Sequence, residues 1–404
     1  MVERIIHRLL LRRHFWRYAS FGEVAEIYAS RTMRIFALRL VTVFTSVYLF
    51  QEGFSLTFLA LFWAIFYVFK VPFSWPSALI IAKYGPKHGT LISNILAAAS
   101  MAFLPFVSHS ALWSLFGWLV LQASSSCLYD LCYLVDFSKV KNGMHAGKEI
   151  AFMNILEQVA TGISPVVGGV LAYVASPHVV MAVSSVLFLL SAIPLFRTGE
   201  PTHTHQKIDF SGFPWRTTWR SLTAEMAIGY DTFATGTAWT FFMMLIVFTG
   251  NGNEIYAKVG ALSSVTLIAA LFISYTFGKL IDNHKGRTLL RTATILNSST
   301  HFMRVFVTTP IGIIFANLLN QAGTTGYSMA FMRGMFDLAD TSGKRIAYLF
   351  FIEMAVNLGM AISAVVLGVL LYLSSDVTGL KMFFILATFV TLLIATPRFP
   401  LYRK

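Results

Sequence analysis

Twelve apolar runs recur along the chain with only short polar breaks, each long enough to cross a hydrocarbon core of about 30 Å at about 1.5 Å of helix rise per residue. They fall at 32–52, 54–82, 88–108, 110–137, 147–175 and 177–196, and then at 221–249, 256–278, 288–309, 310–336, 345–373 and 378–396. In lipid no water satisfies a stray backbone N–H or C=O, so runs of this kind must be helical. Composition agrees: 56% of the 404 residues are hydrophobic and 12% are charged, against about 25% charged in a soluble domain. The expected fold is an all-α polytopic membrane protein of 12 transmembrane helices. Cys127 and Cys132 are the only cysteines, too few for a disulfide framework or a four-thiolate zinc site.

Lys and Arg set the orientation, because cytoplasmic loops retain positive charge. All but five of the 31 lie before the core of the first run, in alternate loops or in the tail; the exceptions are Arg39, Lys70, Lys258, Arg304 and Lys381. Both termini are therefore expected in the cytoplasm, in a multi-pass protein of the plasma (inner) membrane. The net charge of +13 follows from this topology and gives no reason to expect nucleic-acid binding. Residues 1–31 lack the unbroken apolar stretch of a cleavable signal. There Ile5, Ile6, Leu9, Leu10 and Phe15 alternate with Arg8, Arg12, Arg13 and Arg17, as in an amphipathic helix on an anionic leaflet or a solvated basic extension.

The chain repeats itself. Gly147-Lys148-Glu149-Ile150-Ala151-Phe152 matches Gly343-Lys344-Arg345-Ile346-Ala347-Tyr348, which puts Glu157 in register with Glu353, and Gly169-Val170-Leu171-Ala172-Tyr173 matches Gly368-Val369-Leu370-Leu371-Tyr372. A second pair follows the second run of each half, Lys83-Tyr84-Gly85-Pro86-Lys87 and Asn283-His284-Lys285-Gly286-Arg287. Parallel repeats predict a basic segment at 1–31, a six-helix bundle at 32–196, a linker at 197–220, a second bundle at 221–396 and a tail at 397–404. Such halves place a site near the midplane where they meet, and rocking one against the other gives alternating access.

The stretch Gly278-Lys279-Leu280-Ile281-Asp282-Asn283-His284-Lys285-Gly286-Arg287 is similar to the Gly-x-x-x-Asp-(Arg/Lys)-x-Gly-(Arg/Lys) loop of the major facilitator superfamily. With the six-plus-six plan, the resemblance covers nearly the whole chain. One extra residue separates Asp282 from Gly286, and the first-half copy has Ala82 where the family has Asp. The resemblance implies a cytoplasmic gate built from Lys83, Gly85, Lys87, Gly278, Asp282, Gly286 and Arg287. Asp136, Asp337 and Asp340, at the cytoplasmic ends of the fourth and tenth runs, read as gate latches or solvated pairs. In the fifth run, Ala160-Thr161-Gly162-Ile163-Ser164-Pro165-Val166-Val167-Gly168-Gly169 resembles the antiporter motif of drug-exporting members, with Ala160 and Ser164 in place of two glycines; a small-residue packing face reads the same way.

Ionisable groups inside a span are costly and mark function or helix pairing. In the first half these are Arg39, Lys70, Asp130 and Glu157, expected as a substrate-binding or ion-pair set, with Arg39 and Asp130 at similar depth as partners. In the second half Glu353 and Asp231 have no basic residue nearby in their own half except Arg304, close to the outer face. A carboxylate without a cation suits a proton carrier, so Glu353 and then Asp231 are the proton-coupling candidates; a permanently protonated, hydrogen-bonded acid is the structural alternative. Trp63, Phe66, Tyr67, Trp239, Phe241 and Phe242 favour an amphipathic or aromatic solute if they face the cavity.

These readings predict a secondary active transporter for a small organic solute, proton-coupled, with export of amphipathic compounds implied by the fifth-run resemblance. No Gly-x-x-x-x-Gly-Lys-(Ser/Thr) phosphate loop occurs, so a gradient must supply the work. A lysolipid or lipid-linked sugar flippase of the same fold is the alternative; a polytopic transferase would need a catalytic cluster, and the histidines are scattered. The expected partners are the bilayer, the solute and protons, in a monomer that is not an enzyme. No cofactor or metal is expected, since His203 and His205 lack further ligands.

Overall fold

The computed structural model describes residues 21–107, 111–140, 146–197, 199, 210–247, 273, 276–277 and 285–402. Among the described residues there is no strand and there are eleven long helices: α1 (Phe21–Gln51), α2 (Leu56–Tyr84), α3 (Pro86–Met101), α4 (Ala111–Val140), α5 (Ala146–Val174), α6 (Pro177–Ser191), α7 (Trp215–Phe233), α8 (Gly286–Arg304), α9 (Pro310–Thr341), α10 (Arg345–Leu373) and α11 (Asp376–Thr391). They take up eleven of the twelve predicted runs, with α8 to α11 as the ninth to twelfth. The predicted run at 256–278 lies largely outside the described residues; Ile273, Thr276 and Phe277 are helical.

Six helical segments are long and apolar enough by themselves to cross a membrane: Leu56–Tyr84, Pro86–Phe106, Glu149–Ala172, Pro177–Arg197, Arg345–Leu373 and Asp376–Ala395. Most of the others bury polar groups inside the protein. Thus α1 buries Glu26, Ser30 and Arg34, and α8 buries Asn297, His301 and Arg304. The helix ends are local chemistry. Ser55, Ser176, Thr309 and Ser375 each accept a backbone N–H of the first turn that follows, and Pro177 and Pro310 occupy the first helical position, where no N–H is needed. Gly85, at φ 89°, takes the left-handed conformation that turns α2 into α3.

One boundary differs from the sequence reading. Helix α1 spans Phe21–Gln51, so Arg31, placed by sequence in the basic segment, belongs to the same helix as Arg34 of the first run. Hydropathy averaging ends the run short of Arg31 because it counts charge against a span, whereas here Arg31 is paired with Glu157 inside the bundle.

The helix pairings of the first half recur six spans later. Contacts between α1 and α5, α3 and α4, α1 and α6, and α3 and α6 are matched by those between α7 and α10, α8 and α9, α7 and α11, and α8 and α11. Across the halves, α2 and α10 make the most extensive contact, running from Leu61 against Gly368 to Trp75 against Phe350. Helices α7 and α10 touch backbone to backbone. A Cβ on Gly229 would lie 2.0 Å from the Val356 carbonyl oxygen, and one on Gly359 would lie 1.9 Å from that of Met226. Beyond Phe233, α7 continues through π-helical turns at Ala234–Ala238 and Met243–Val247, local widenings of a kind found often at functional sites.

The Gly359→Ala protein is therefore expected to lose stability, by about 1–3 kcal/mol or more for an overpacked contact, seen as a lower thermal unfolding midpoint in detergent. Gly236→Ala, where a Cβ meets nothing within 4 Å, is expected to leave the midpoint unchanged or raise it. Equal midpoints for the two variants would remove the backbone contact as a determinant.

Candidate functional site

Where the halves meet, one amine answers to both. Lys70 of α2 is 4% exposed, and its Nζ lies 3.2 Å from Asp130 Oδ2 of α4 and 3.6 Å from Glu353 Oε1 of α10. Its backbone is held as well, because Ser74 Oγ (3.1 Å) and Cys127 Sγ (3.5 Å) both donate to the Lys70 carbonyl. Asn357 Nδ2 donates to Glu353 Oε1 at 2.6 Å. The Lys70 and Glu353 side chains are 5% and 3% exposed, that of Asp130 43%. The node is thus closed on the second-half side and open on the first.

This overturns two expectations. Asp130 pairs with Lys70 and not with Arg39, and Glu353 does have a cation within reach. The partner of Glu353 escapes a comparison of depth within one half, because the α2 and α10 contact joins residues far apart in sequence; Asp130 meets Lys70 within the first half, where α2 and α4 pack. Glu225 of α7 was missed outright. It is an electrostatic neighbour of Glu353, and its buried Oε2 has no hydrogen-bond partner among the described residues. Its position four residues into the seventh run was the available signal.

Helix α1 supplies a basic face. Arg31 forms an ion pair with Glu157 of α5 and lies 3.5 Å from the centre of the Tyr133 ring. Arg34 donates to Asn94 Oδ1 and, at 3.0 Å, to Ser125 Oγ, with its guanidinium 3.8 Å from the Tyr129 ring centre. Arg39 is exposed and makes no salt bridge among the described residues; its electrostatic neighbours are Tyr67 and Glu157. Tyr67 also neighbours Lys70, so the two cations flank one tyrosine.

Asp231 has a different setting. It is fully buried and receives hydrogen bonds from His301 Nε2 at 2.5 Å, from Asn297 Nδ2 at 2.8 Å and from the Tyr327 hydroxyl. Arg304 Nη1 lies 3.3 Å from His301 Nδ1. A guanidinium only donates, so Nδ1 accepts and the imidazole proton is on Nε2, facing Asp231. Arg304 in turn stacks on Trp239, 4.5 Å from the ring centre. The expectation that Asp231 lacks a basic neighbour therefore fails, since a histidine touches it and Arg304 stands behind. Asn297, His301 and Arg304, three or four residues apart on one face of α8, were the sequence signal for this network.

The gate candidates are dispersed. Lys87 is buried, with Nζ 3.3 Å from Glu26 Oε2 of α1; Lys83 and Arg287 are exposed; Asp136 is buried and Asp337 half-buried. Gly85 is the turn already described, and Gly286 lies under Tyr402, whose ring a Cβ there would meet at 2.3 Å. Arg345 pairs with Asp340. Near the two acids, Phe137 of α4 packs on Phe336 of α9 at 5.4 Å, joining the halves at that end. Gly278 and Asp282 lie outside the described residues, as do His203 and His205; no metal-ligand cluster occurs among the described ones.

The aromatic stripe is core. Trp63 and Phe66 are each 5% exposed and pack on Trp118, while Trp239, Phe241 and Phe242 are at most 3% exposed; only Tyr67 is partly open. In α5, Ala160, Gly162, Ser164, Pro165, Gly168 and Gly169 are buried, whereas Ile163, Val166 and Val170 are exposed, so the small residues form the packed face.

Removing the amine while keeping both acids leaves buried charge uncompensated, which costs about 3–5 kcal/mol. Lys70→Met is expected to unfold at a lower temperature than wild type, and Lys70→Met/Glu353→Gln to regain part of the loss. A single variant as stable as wild type would sink the node as a structural element.

The chain has known relatives in fold. The profile of the Major Facilitator Superfamily matches residues 27–256. The structure of the transporter FucP in its outward conformation superposes with a TM-score of 0.68 at 14% identity, over 92% of this chain and 97% of that one. The E. coli fucose:proton symporter FucP gives 0.64 at 14% identity, over 92% and 97%, and the human organic anion transporter MFSD10 (TETRAN) gives 0.66 at 10% identity, over 92% and 99%. No curated protein matches by sequence. A bundle of membrane-length helices paired as two repeats, with a family profile spanning more than half its length, identifies the chain as a member of the Major Facilitator Superfamily of membrane transporters.

Proposed function

We propose that the chain is a proton-coupled secondary transporter whose solute is a small organic anion, bound by Arg39 and Lys70, with Glu353 as the proton carrier. The carrying observation is Lys70, whose amine lies within reach of an acid from each half. If rocking the halves separates Lys70 from Glu353, the charge on Glu353 biases the swing. Protonating that carboxylate cancels its attraction for the amine and leaves Lys70 to Asp130 within the first half. Losing the proton restores the bond between halves. A conformational equilibrium moves only through such differential stabilisation.

Anionic cargo is favoured by Arg39, exposed and without a salt bridge among the described residues, which shares Tyr67 as a neighbour with Lys70. A guanidinium presents a planar fork that a carboxylate matches with two hydrogen bonds. The aromatic residues that would have favoured an amphipathic solute are packed in the core, so that part of the sequence reading loses its support. Precedent within the fold exists on both counts, since one neighbour is described as a proton symporter and another as an organic anion transporter. Asp231, saturated by three donors and closed to solvent, serves better as a brace of the second half. The distribution of Lys and Arg favours the cytoplasm for the basic face and both termini.

In proteoliposomes with an imposed pH gradient, a panel of organic anions, sugars and cationic amphiphiles is expected to show gradient-driven movement of an anion. Glu353→Gln is expected to abolish accumulation against a gradient while leaving downhill exchange, and Arg39→Gln to raise KM by about tenfold or more, the worth of one lost charge-assisted hydrogen bond. Movement indifferent to collapse of the pH gradient would refute the coupling. Preference for cationic amphiphiles would refute the cargo.

A further inference from the structure

Away from the Lys70 node, on the face where α7 begins, is a cavity of about 340 Å³. Arg216 and Arg220 line it from the first turns of α7, each followed by a hydroxyl residue of the lining, Thr217 and Ser221, and Arg398 lines it from the segment after α11. No Asp or Glu is among the lining residues. None of the three arginines makes a salt bridge among the described residues. Arg216 and Arg398 are exposed and Arg220 is half-buried, so their guanidiniums are accessible.

The site is built, not incidental. Arg398 is positioned by its neighbours: Phe399 is 2% exposed and fills the space above Gly334, where a Cβ would come within 2.2 Å of its ring. The Tyr402 hydroxyl donates to the Ala330 carbonyl at 2.9 Å, and the Thr396 hydroxyl to that of Arg220 at 3.4 Å. The tail is thus fastened to both α9 and α7. At the rim, Trp215 and Trp219 stand one turn apart, each 52% exposed, and the Arg220 guanidinium lies 5.2 Å from the Trp219 ring centre. Tryptophan at a helix entry marks the level of lipid headgroups.

Three guanidiniums around one space repel each other unless an anion joins them, and phosphate oxygens fit the guanidinium fork. Basic pockets between helices at a membrane face are suited to anionic headgroups. We propose that this cavity binds the phosphodiester headgroup of an anionic phospholipid from the leaflet on the basic face, cross-bracing α7, α9 and the tail. The aromatic rim is what favours a phosphate attached to acyl chains over a free one.

The test uses the full chain in detergent, titrated with phosphatidylglycerol or phosphatidylcholine and read by native mass spectrometry, with inorganic phosphate as the soluble competitor. Wild type is expected to retain phosphatidylglycerol at least about tenfold better than phosphatidylcholine, as expected for several basic contacts. The triple variant Arg216→Gln/Arg220→Gln/Arg398→Gln is expected to lose that preference, whereas the charge-matched variant Arg197→Gln/Lys285→Gln/Arg291→Gln keeps it. Unchanged preference in the first variant, or equal loss in both, overturns the site. Displacement by inorganic phosphate at concentrations comparable to the lipid overturns the lipid as its source. Should the triple variant fail to fold, Arg398→Gln alone, at an exposed side chain, is expected to weaken retention severalfold, and no change there overturns the proposal.

Discussion

An ammonium group taken out of water and into a helix bundle loses far more solvation than any single hydrogen bond returns, and is kept only if opposite charge meets it there. Lys70 meets that condition with one acid from each half of the molecule. Because neither half alone supplies both acids, the arrangement of the halves and the ionisation of the node are linked. The α2 and α10 contact that brings Lys70 to Glu353 is also the most extensive one between the halves, so the same surface carries the packing and the charge.

The second half holds its charges in the opposite manner. Asp231, His301, Asn297 and Tyr327 close on themselves with no exposed atom to speak of, and Arg304 completes the chain through the imidazole. A saturated network in low dielectric is rigid, since breaking any member strands a buried partner. The Lys70 node keeps one acid open at 43% exposure. One cluster is therefore fitted to hold a bundle together and the other to exchange partners.

In the proposed cycle, rigidity within the halves would let a local charge change become a movement of the whole. The reciprocal contacts of Gly229 and Gly359 hold α7, with Glu225 upon it, at backbone distance from α10, the helix that carries Glu353. On the other side, Arg31 ties α1 to α5 through Glu157, and Arg34 ties α1 to α3 and α4 through Asn94 and Ser125. Each half thus has polar or backbone clasps of its own, and the node joins the two by charge.

Apolar run length by itself determined the helices, because lipid leaves the backbone no other way to satisfy its hydrogen bonds. The match between Gly147–Phe152 and Gly343–Tyr348 pointed to two like halves, and the charged positions Lys70, Asp130, Glu157, Asp231 and Glu353 stood out because each is expensive inside a span. Which charge meets which was decided by tertiary structure. Lys70 reaches Glu353 across 283 positions of sequence only because α2 and α10 lie side by side, and no periodicity within one helix encodes its neighbour. Arg31 fell in the basic segment before the first run and belongs to the membrane helix, paired with Glu157, for the same reason: hydropathy prices a charge as if it faced lipid, and only the fold reveals the partner that removes the cost.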